Sequence, residues 1–257
     1  MVTPEVRVEV CVESAGGARA ARAAGARRVE LCQALGAGGL TPSAGAIAAT
    51  VATGALEVVV LVRPRGGDFL YTHEELDVMQ RDVECARELG ARGVALGCLT
   101  AEGAIDEPRC ARLIEGARPM EVTFHRAFDH VRQPEQALEV LVRLGAARVL
   151  TSGQAENALD GRACIASLVR AARGRIEVVA AGGIRAENVG ELVRATGVRA
   201  LHFSAATRRA TSAHRPNTRV RLASAARAGE EDALWETDEA CVRAVLASLR
   251  AVGGEPG

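Results

Sequence analysis

Short runs rich in Val, Leu and Ile alternate along the chain with longer Ala/Arg/Glu stretches of helical periodicity. The runs predict eight buried strands: Val6–Val12, Arg28–Cys32, Leu56–Arg63, Gly93–Leu99, Met120–His125, Arg148–Ser152, Ile176–Ala181 and Ala200–Ser204. A helix is predicted after each: Ser14–Ala24, Ser43–Thr53, Glu74–Leu89, Glu107–Ala117, Pro134–Leu144, Ala158–Ala172, Ala186–Ala195 and Asp238–Ala251. Leu89-Gly90, Leu144-Gly145 and Thr196-Gly197 put Gly just past a helical run, where a left-handed cap is needed. Pro42 and Pro108 are expected in first turns, which tolerate a missing N–H. A Gly-Ala-x-x-Val pattern then carries the chain into the next strand at Gly25, Gly90 and Gly145, a half-hidden internal repeat.

Eight such units in 257 residues have the size and period of an α/β fold, a closed (β/α)₈ TIM barrel. The expected organisation is a single domain over residues 1–257. An open doubly wound sheet is the runner-up, with fewer strands and longer gaps. The irregular, Arg-rich stretch from about Ala206 to Trp235 follows the eighth strand and is expected to be an elaborated loop. The last residues, Gly253–Gly257, are expected to fray.

Composition narrows the chemistry. The 32 basic and 32 acidic residues cancel, so no excess charge supports sequence-independent nucleic-acid binding. Every basic residue is Arg. Without Lys, a Schiff-base cofactor, a class I aldolase mechanism and a P-loop are all excluded. Aromatic residues are 2% of the chain, so Val, Leu, Ile and Ala must fill the core. None of the seven cysteines forms a C-x-x-C pair, which removes a zinc knuckle and a thioredoxin-like motif. The start of the chain lacks an apolar signal region and no apolar run reaches the ~18 residues of a membrane span. The expected location is therefore cytoplasmic, with no membrane partner.

In such a barrel the interior is expected to be packed in apolar layers and the site to lie at the C-terminal strand ends. Strands 1 and 2 both carry Glu-x-Cys, at Glu9/Cys11 and Glu30/Cys32. A period of two places each Glu and Cys on one face, inward or toward the helices according to register. If inward, the carboxylates repel, so one is protonated or cations compensate. They would also raise a neighbouring thiol's pKa unless a metal supplies positive charge. Arg63, Arg65 and Asp68 follow strand 3, and His125 and Arg126 follow strand 5. Arg can grip an anion bidentately, and His125 can carry a proton near neutral pH. Gly182 and Gly183 after strand 7, with Ser204 after strand 8, stand where many barrels bind phosphate. Ser152 and His202 are further candidates at strands 6 and 8. Cys85, Cys110, Cys164 and Cys241 are expected to be small core hydrophobes, and His73, His130 and His214 solvated loop residues.

The motifs Val-Glu-Leu-Cys at 29–32, Gly-Gly-Leu-Thr-Pro-Ser at 38–43 and Arg-Pro-Arg-Gly-Gly-Asp-Phe at 63–69 resemble those of the CutC family. So do Thr-Phe-His-Arg-Ala-Phe-Asp at 123–129 and Val-Leu-Thr-Ser-Gly at 149–153, and the resemblance runs in order from about residue 6 to 205. Arg215-Pro216-Asn217 is similar to the family's Arg-Asn pair. The resemblance implies a copper homeostasis protein: a cytosolic TIM barrel, a homodimer or homotetramer, with Cu(I) on Cys11 and Cys32. Soft thiolates select Cu(I), which fits that expectation. The alternative, read from the residues, is a barrel enzyme acting on a small anionic or phosphorylated substrate. Glu9 or Glu30 would then be the general base, His125 its acid partner, and Arg63 and Arg65 the anion clamp, helped by Gly182, Gly183 and Ser204. A divalent metal on the carboxylates and His125 is a variant of that reading.

Overall fold

The computed structural model describes residues 6–54, 56–210 and 233–253. Eight parallel strands close into a barrel in sequence order. They are β1 (Arg7–Val12), β2 (Arg28–Leu31), β3 (Glu57–Leu61), β4 (Gly93–Leu96), β5 (Glu121–Phe124), β6 (Arg148–Thr151), β7 (Glu177–Ala181) and β8 (Ala200–Ser204). Between and after them run α1 (Ala15–Ala24), α2 (Ala44–Val51), α3 (His73–Glu88), α4 (Glu107–Ala117), α5 (Pro134–Leu144), α6 (Arg162–Ala172), α7 (Val189–Thr196) and α8 (Glu239–Gly253). This is the TIM barrel expected from the pattern.

Local chemistry sets the helix ends. Ser14, Ser43, Thr72 and Asp106 each accept an orphan amide of the first turn. Thr72 and Glu75 complete a capping box. Gly145 and Gly197 take the left-handed conformation at the ends of α5 and α7. Pro108 lies in the first turn of α4 as expected, but Pro42 lies outside α2, because Ser43 is that helix's cap.

Two layers of side chains result from the period of two. The outward set, Val10, Val29, Val60, Leu96 and Val149, packs against Leu76, Met79, Leu113, Leu141 and Leu168 of the helices. The inward set is different from the apolar layers expected. Only a waist is apolar: Val59, Leu61 and Ala95 beside Cys11 and Cys32, and Leu150, Val179, Ala181 and Ala200 facing them. Below the waist, the strand starts bring charges together. Arg28 reaches Glu9 (2.9 Å), Glu57 (2.8 Å) and Glu121 (2.9 Å), and Arg148 reaches Glu9 (3.0 Å). A bond from β1 to β6 can only cross the interior, so the Glu9/Cys11 face points inward.

The stretch after β8 is not simply a loop. Its two ends, β9 (Ala206–Ala210) and β10 (Ala233–Thr237), pair antiparallel, with Trp235 opposite Arg208 and exposed. The intervening residues, Arg215-Pro216-Asn217 and His214 among them, lie outside the described residues, as do Gly254–Gly257. Of the four helix cysteines expected in the core, one is there, two are there in part and Cys241 is not. Cys110 is fully buried, Cys85 and Cys164 are half-buried, and Cys241 is exposed. His73 begins α3 rather than lying in a loop. Among the described residues no helix is long and apolar enough to cross a membrane.

Candidate metal centre and its cavity

The barrel opens at its C-terminal end into a cavity of about 430 Å³. Cys11, Glu30, Cys32, Arg63, His125, Arg126, Gly182, Gly183, His202 and Ser204 all line it, so most of the expected site residues do converge. Cys11 leaves β1 opposite Glu30 of β2 and Ser204 of β8. The Cys11 and Cys32 sulfurs stand 3.5 Å apart and are unlinked, and both side chains are buried. Glu30 Oε1 lies 3.9 Å from the Cys11 sulfur and 3.8 Å from His202 Nε2. Ligand atoms of Cys11, Glu30 and His202 all lie within 4.8 Å of one another, a group able to hold a metal ion.

The protonation of this group follows from its neighbours. Cys32's hydrogen bond, burial and the nearby carboxylates push the Cys11 thiol far up, so it is protonated. Burial raises the Glu30 carboxyl; His202 offsets part of that and Glu9 adds to it, leaving a net rise. Burial alone would lower His202, but Glu30 and Glu9 outweigh it and the imidazole favours its charged form. Glu9 Oε1 accepts a hydrogen bond from His202 Nδ1 at 2.9 Å. That bond fixes the ring and leaves Nε2 directed toward Glu30, as a supporting carboxylate does for a metal-binding histidine.

Several expectations need correction. Glu9 does not line this cavity; it lines a second one of about 680 Å³ at the opposite end. Its carboxylate is surrounded by Arg28, Arg148 and His202. Burial would raise its pKa, yet the His202 hydrogen bond and the Arg148 and Arg28 charges hold it far below the carboxylate range. Arg65 and Asp68 are outside the cavity too. Arg65 pairs with Glu75 (2.5 Å) and Asp68 (3.0 Å) and lies over the Tyr71 ring. Ser152 is buried behind the wall, where its hydroxyl meets Asp129 (3.0 Å) and the Ala155 carbonyl (2.6 Å). Cys98 is buried in the helix-facing layer with Cys110, its thiol pushed up by that contact.

Arg63 lines the cavity, but its guanidinium is bound to backbone. Nη1 donates to the Ala37 and Gly39 carbonyls (3.2 and 3.0 Å) and Nη2 to the Gly67 carbonyl (2.9 Å). Its carbon lies 5.1 Å from the Phe69 ring centroid, and the same ring packs on His125 at 5.1 Å. His125 is held by close fit: a Cβ on Gly97 would come within 2.8 Å of its ring. Its Nδ1 accepts the Ala127 amide at 3.2 Å, which puts the ring proton on Nε2.

The expectation that His125 exchanges a proton near neutrality is also corrected. Burial and the Arg63 charge lower its pKa to about 3. The unfolded chain takes up that proton near 6.5, while the folded ring refuses it until about 3. The neutral ring therefore stabilises the native state above pH 6.5, and this contribution is lost as pH falls through that window. Against a His125→Asn variant, the wild type should lose up to about 1.4 kcal/mol per pH unit between pH 6.5 and 5. Urea unfolding of both proteins across that range measures it. Parallel pH profiles would mean that the ring titrates normally in the native state.

Two residues that matter here were not singled out from the sequence. Arg148 begins β6 and crosses the barrel; the signal was the charge opening most strands. Asp129 ends a recognised heptapeptide, and its carboxylate receives Arg126 Nε (2.8 Å), the Thr151 hydroxyl (2.6 Å) and the Ser152 amide (2.9 Å).

A parallel (β/α)₈ barrel with buried sulfur, carboxylate and imidazole donors at its C-terminal mouth is a TIM barrel whose donor group could hold a metal ion. The CutC family model matches residues 6–207, and the chain belongs to the CutC family. A Mesorhizobium japonicum protein named as family protein CutC is 48% identical over 207 residues, covering 79% of this chain and 80% of that protein. A Chromobacterium violaceum protein of the same description is 44% identical over 244 residues, covering 94% and 97%. The crystal structure of a Streptococcus agalactiae protein, described as a candidate copper homeostasis protein CutC, matches with a TM-score of 0.73 and 34% identity. That match covers 77% of this chain and 98% of the other. Phosphoribosylanthranilate isomerase from Thermotoga maritima, at 14% identity and a TM-score of 0.56, shares the fold alone.

Proposed function

We propose that this CutC-family barrel binds Cu(I) through Cys11 and Cys32 and serves copper homeostasis. The observation that carries the reading is the pair of buried sulfurs 3.5 Å apart on the cavity wall. Donors on a tetrahedral site with ~2.3 Å metal–sulfur bonds stand about 3.8 Å apart, so one ion can bridge the pair with little movement. Soft thiolates favour Cu(I). The harder donors beside them already face one another: Glu30 Oε1 lies 3.8 Å from His202 Nε2, and His202 Nδ1 is bonded to Glu9. An ion content with two sulfurs therefore suits the site better than one demanding four ligands. Cys11 must lose its proton when metal binds, so uptake releases acid.

The test is an anaerobic Cu(I) titration against a strong competing chelator, with Zn(II) run in parallel. Wild type is expected to take up one Cu(I) per chain, and the Cys11→Ser/Cys32→Ser double variant none. Binding that survives in the double variant would remove the thiol pair as the site. Preference for Zn(II) would leave a metal-binding barrel but not a copper one.

A further inference from the structure

We propose that the side of the cavity formed by the ends of β3, β5 and β7 is a subsite for the oxyanion of a small molecule, a phosphate or carboxylate group, held by Arg63, His125 and Arg126. The proposal goes beyond copper binding and does not rest on it, because none of these residues offers a soft donor.

Charge is the first observation. Among the described residues, three arginines, Arg63, Arg126 and Arg185, line the cavity against one carboxylate, Glu30. A cleft lined by one sign of charge with apolar walls concentrates ions of the other sign. Glu30 is poorly placed to neutralise it, since it already faces the thiol and His202.

The second observation is an unbalanced buried cation. Arg63 is 7% exposed; its guanidinium donates to carbonyl oxygens and lies beside the Tyr71 hydroxyl, and among the described residues no carboxylate pairs with it. A buried charge without a counter-charge is costly, and replacing water by neutral carbonyls recovers only part of that cost. Among the described residues its Nε has no acceptor, nor does the Nε2 of His125, which is 5% exposed. These are two buried donors, both packed on Phe69, that make no hydrogen bond among the described residues.

The third observation is a donor held in readiness across the cavity. Arg126 is fixed by Asp129 through Nε and by Ser152 through Nη2 at 2.8 Å each. Its remaining nitrogen, Nη1, rests against Gly182, where a Cβ would stand 3.4 Å away. Gly182 and Gly183 both have positive φ (+100° and +67°). A Cβ on Gly183 would also come within 2.8 Å of Asn157. Only glycine allows this turn to close on the cavity beside Arg126. A guanidinium fixed in this way can present paired donors to an oxyanion with little loss of freedom.

Calorimetric titration of the whole protein with inorganic phosphate, and separately with succinate, tests the proposal. The ¹⁵N resonance of His125 Nε2 is followed in parallel. Arg126→Gln is the main variant, because its side chain is half-exposed and dispensable to the core; Arg63→Gln is the second, and Arg112→Gln on the outside of α4 is the control. Wild type and control are expected to bind at least one probe and to shift the His125 signal. Arg126→Gln should weaken binding at least tenfold. Binding of phosphate alone assigns the subsite to phosphorylated molecules, and binding of succinate alone to carboxylates. No binding of either probe by wild type would overturn the proposal. So would an affinity unchanged by Arg126→Gln, or binding that leaves His125 unmoved. The Cys11→Ser/Cys32→Ser variant should keep anion binding, and Arg126→Gln should keep Cu(I), so the two readings fail separately.

Discussion

Replacing Glu9 by Gln is expected to lower the unfolding free energy by about 3–5 kcal/mol, the usual loss when one member of a buried ion cluster is removed. Glu9 is 2% exposed, and three cationic side chains converge on it: Arg28, Arg148 and His202, at 2.9, 3.0 and 2.9 Å. The amide of Gln carries no charge and would turn an N–H₂ toward groups that are themselves donors. Arg148 would suffer most. Its side chain is 6% exposed, Glu9 is its carboxylate partner, and its Nε and Nη2 already lack acceptors. Arg28 retains Glu57 and Glu121, so the damage should concentrate on the β1–β6 contact. Equilibrium urea unfolding of wild type and variant measures the loss. Arg148→Met in the Glu9→Gln background should recover part of it, since the stranded cation is then gone. A loss below about 1 kcal/mol would mean that water, not Glu9, balances these cations. The pH dependence carries the same signature. Glu9 stays ionised far below its ordinary 4.5 in the folded chain. Its contribution is therefore present above that pH and disappears as pH falls through the folded value, and only wild type should show it.

The barrel was legible because its strands are buried on both sides and its helices on one. Glu107–Ala117, Pro134–Leu144 and Ala200–Ser204 have the same bounds in sequence and structure. Most other strands stop earlier than their apolar runs. The run to Arg63 ends its ladder at Leu61, and the run to Leu99 ends at Leu96. At the barrel mouth the chain stays buried after leaving the sheet, so hydropathy cannot mark the end of pairing. The helix predicted from Ala158 starts at Arg162 because Asn157 first turns the chain, accepting the Asp160 amide at 3.0 Å. Within the site, the Glu-x-Cys repeat of strands 1 and 2 was readable, since a period of two and parallel pairing suffice to bring Cys11 and Cys32 together. The split between Glu9 and Glu30 was not. Two residues from Cys11, Glu9 drops below the apolar waist and meets an arginine 139 positions away. No local pattern encodes that distance. Arg63 and Arg65 show the same limit from the other side: neighbours in one motif, they part because Phe69 and Tyr71 offer each a different ring.

Asp129→Asn is expected to cost about 2–4 kcal/mol, as one hydrogen-bonded buried carboxylate becomes half a donor among donors. The side chain is 7% exposed. Its Oδ1 receives the Thr151 hydroxyl, the Ser152 amide and the Gln154 amide, and its Oδ2 receives the Ser152 hydroxyl and Arg126 Nε. All of these partners are donors, although the Ser152 hydroxyl shares its one proton with the Ala155 carbonyl at 2.6 Å. In either orientation, an Asn amide must set an N–H₂ against at least two of them. The residues it holds explain why the effect should spread beyond stability. Thr151 and Ser152 end β6, and Arg126 follows β5, so Asp129 binds the tops of two adjacent strands together. Behind it the chain has no room to yield: a Cβ on Gly161 would come within 1.9 Å of the Ser152 carbonyl oxygen. Loss of the carboxylate should therefore release Arg126 rather than rearrange β6. The expected result is a lower urea midpoint with an unchanged slope, together with weaker phosphate or succinate binding and unaltered Cu(I) uptake. A variant as stable as wild type would mean that the Ser152 hydroxyl and the Ala155 carbonyl hold this corner without Asp129.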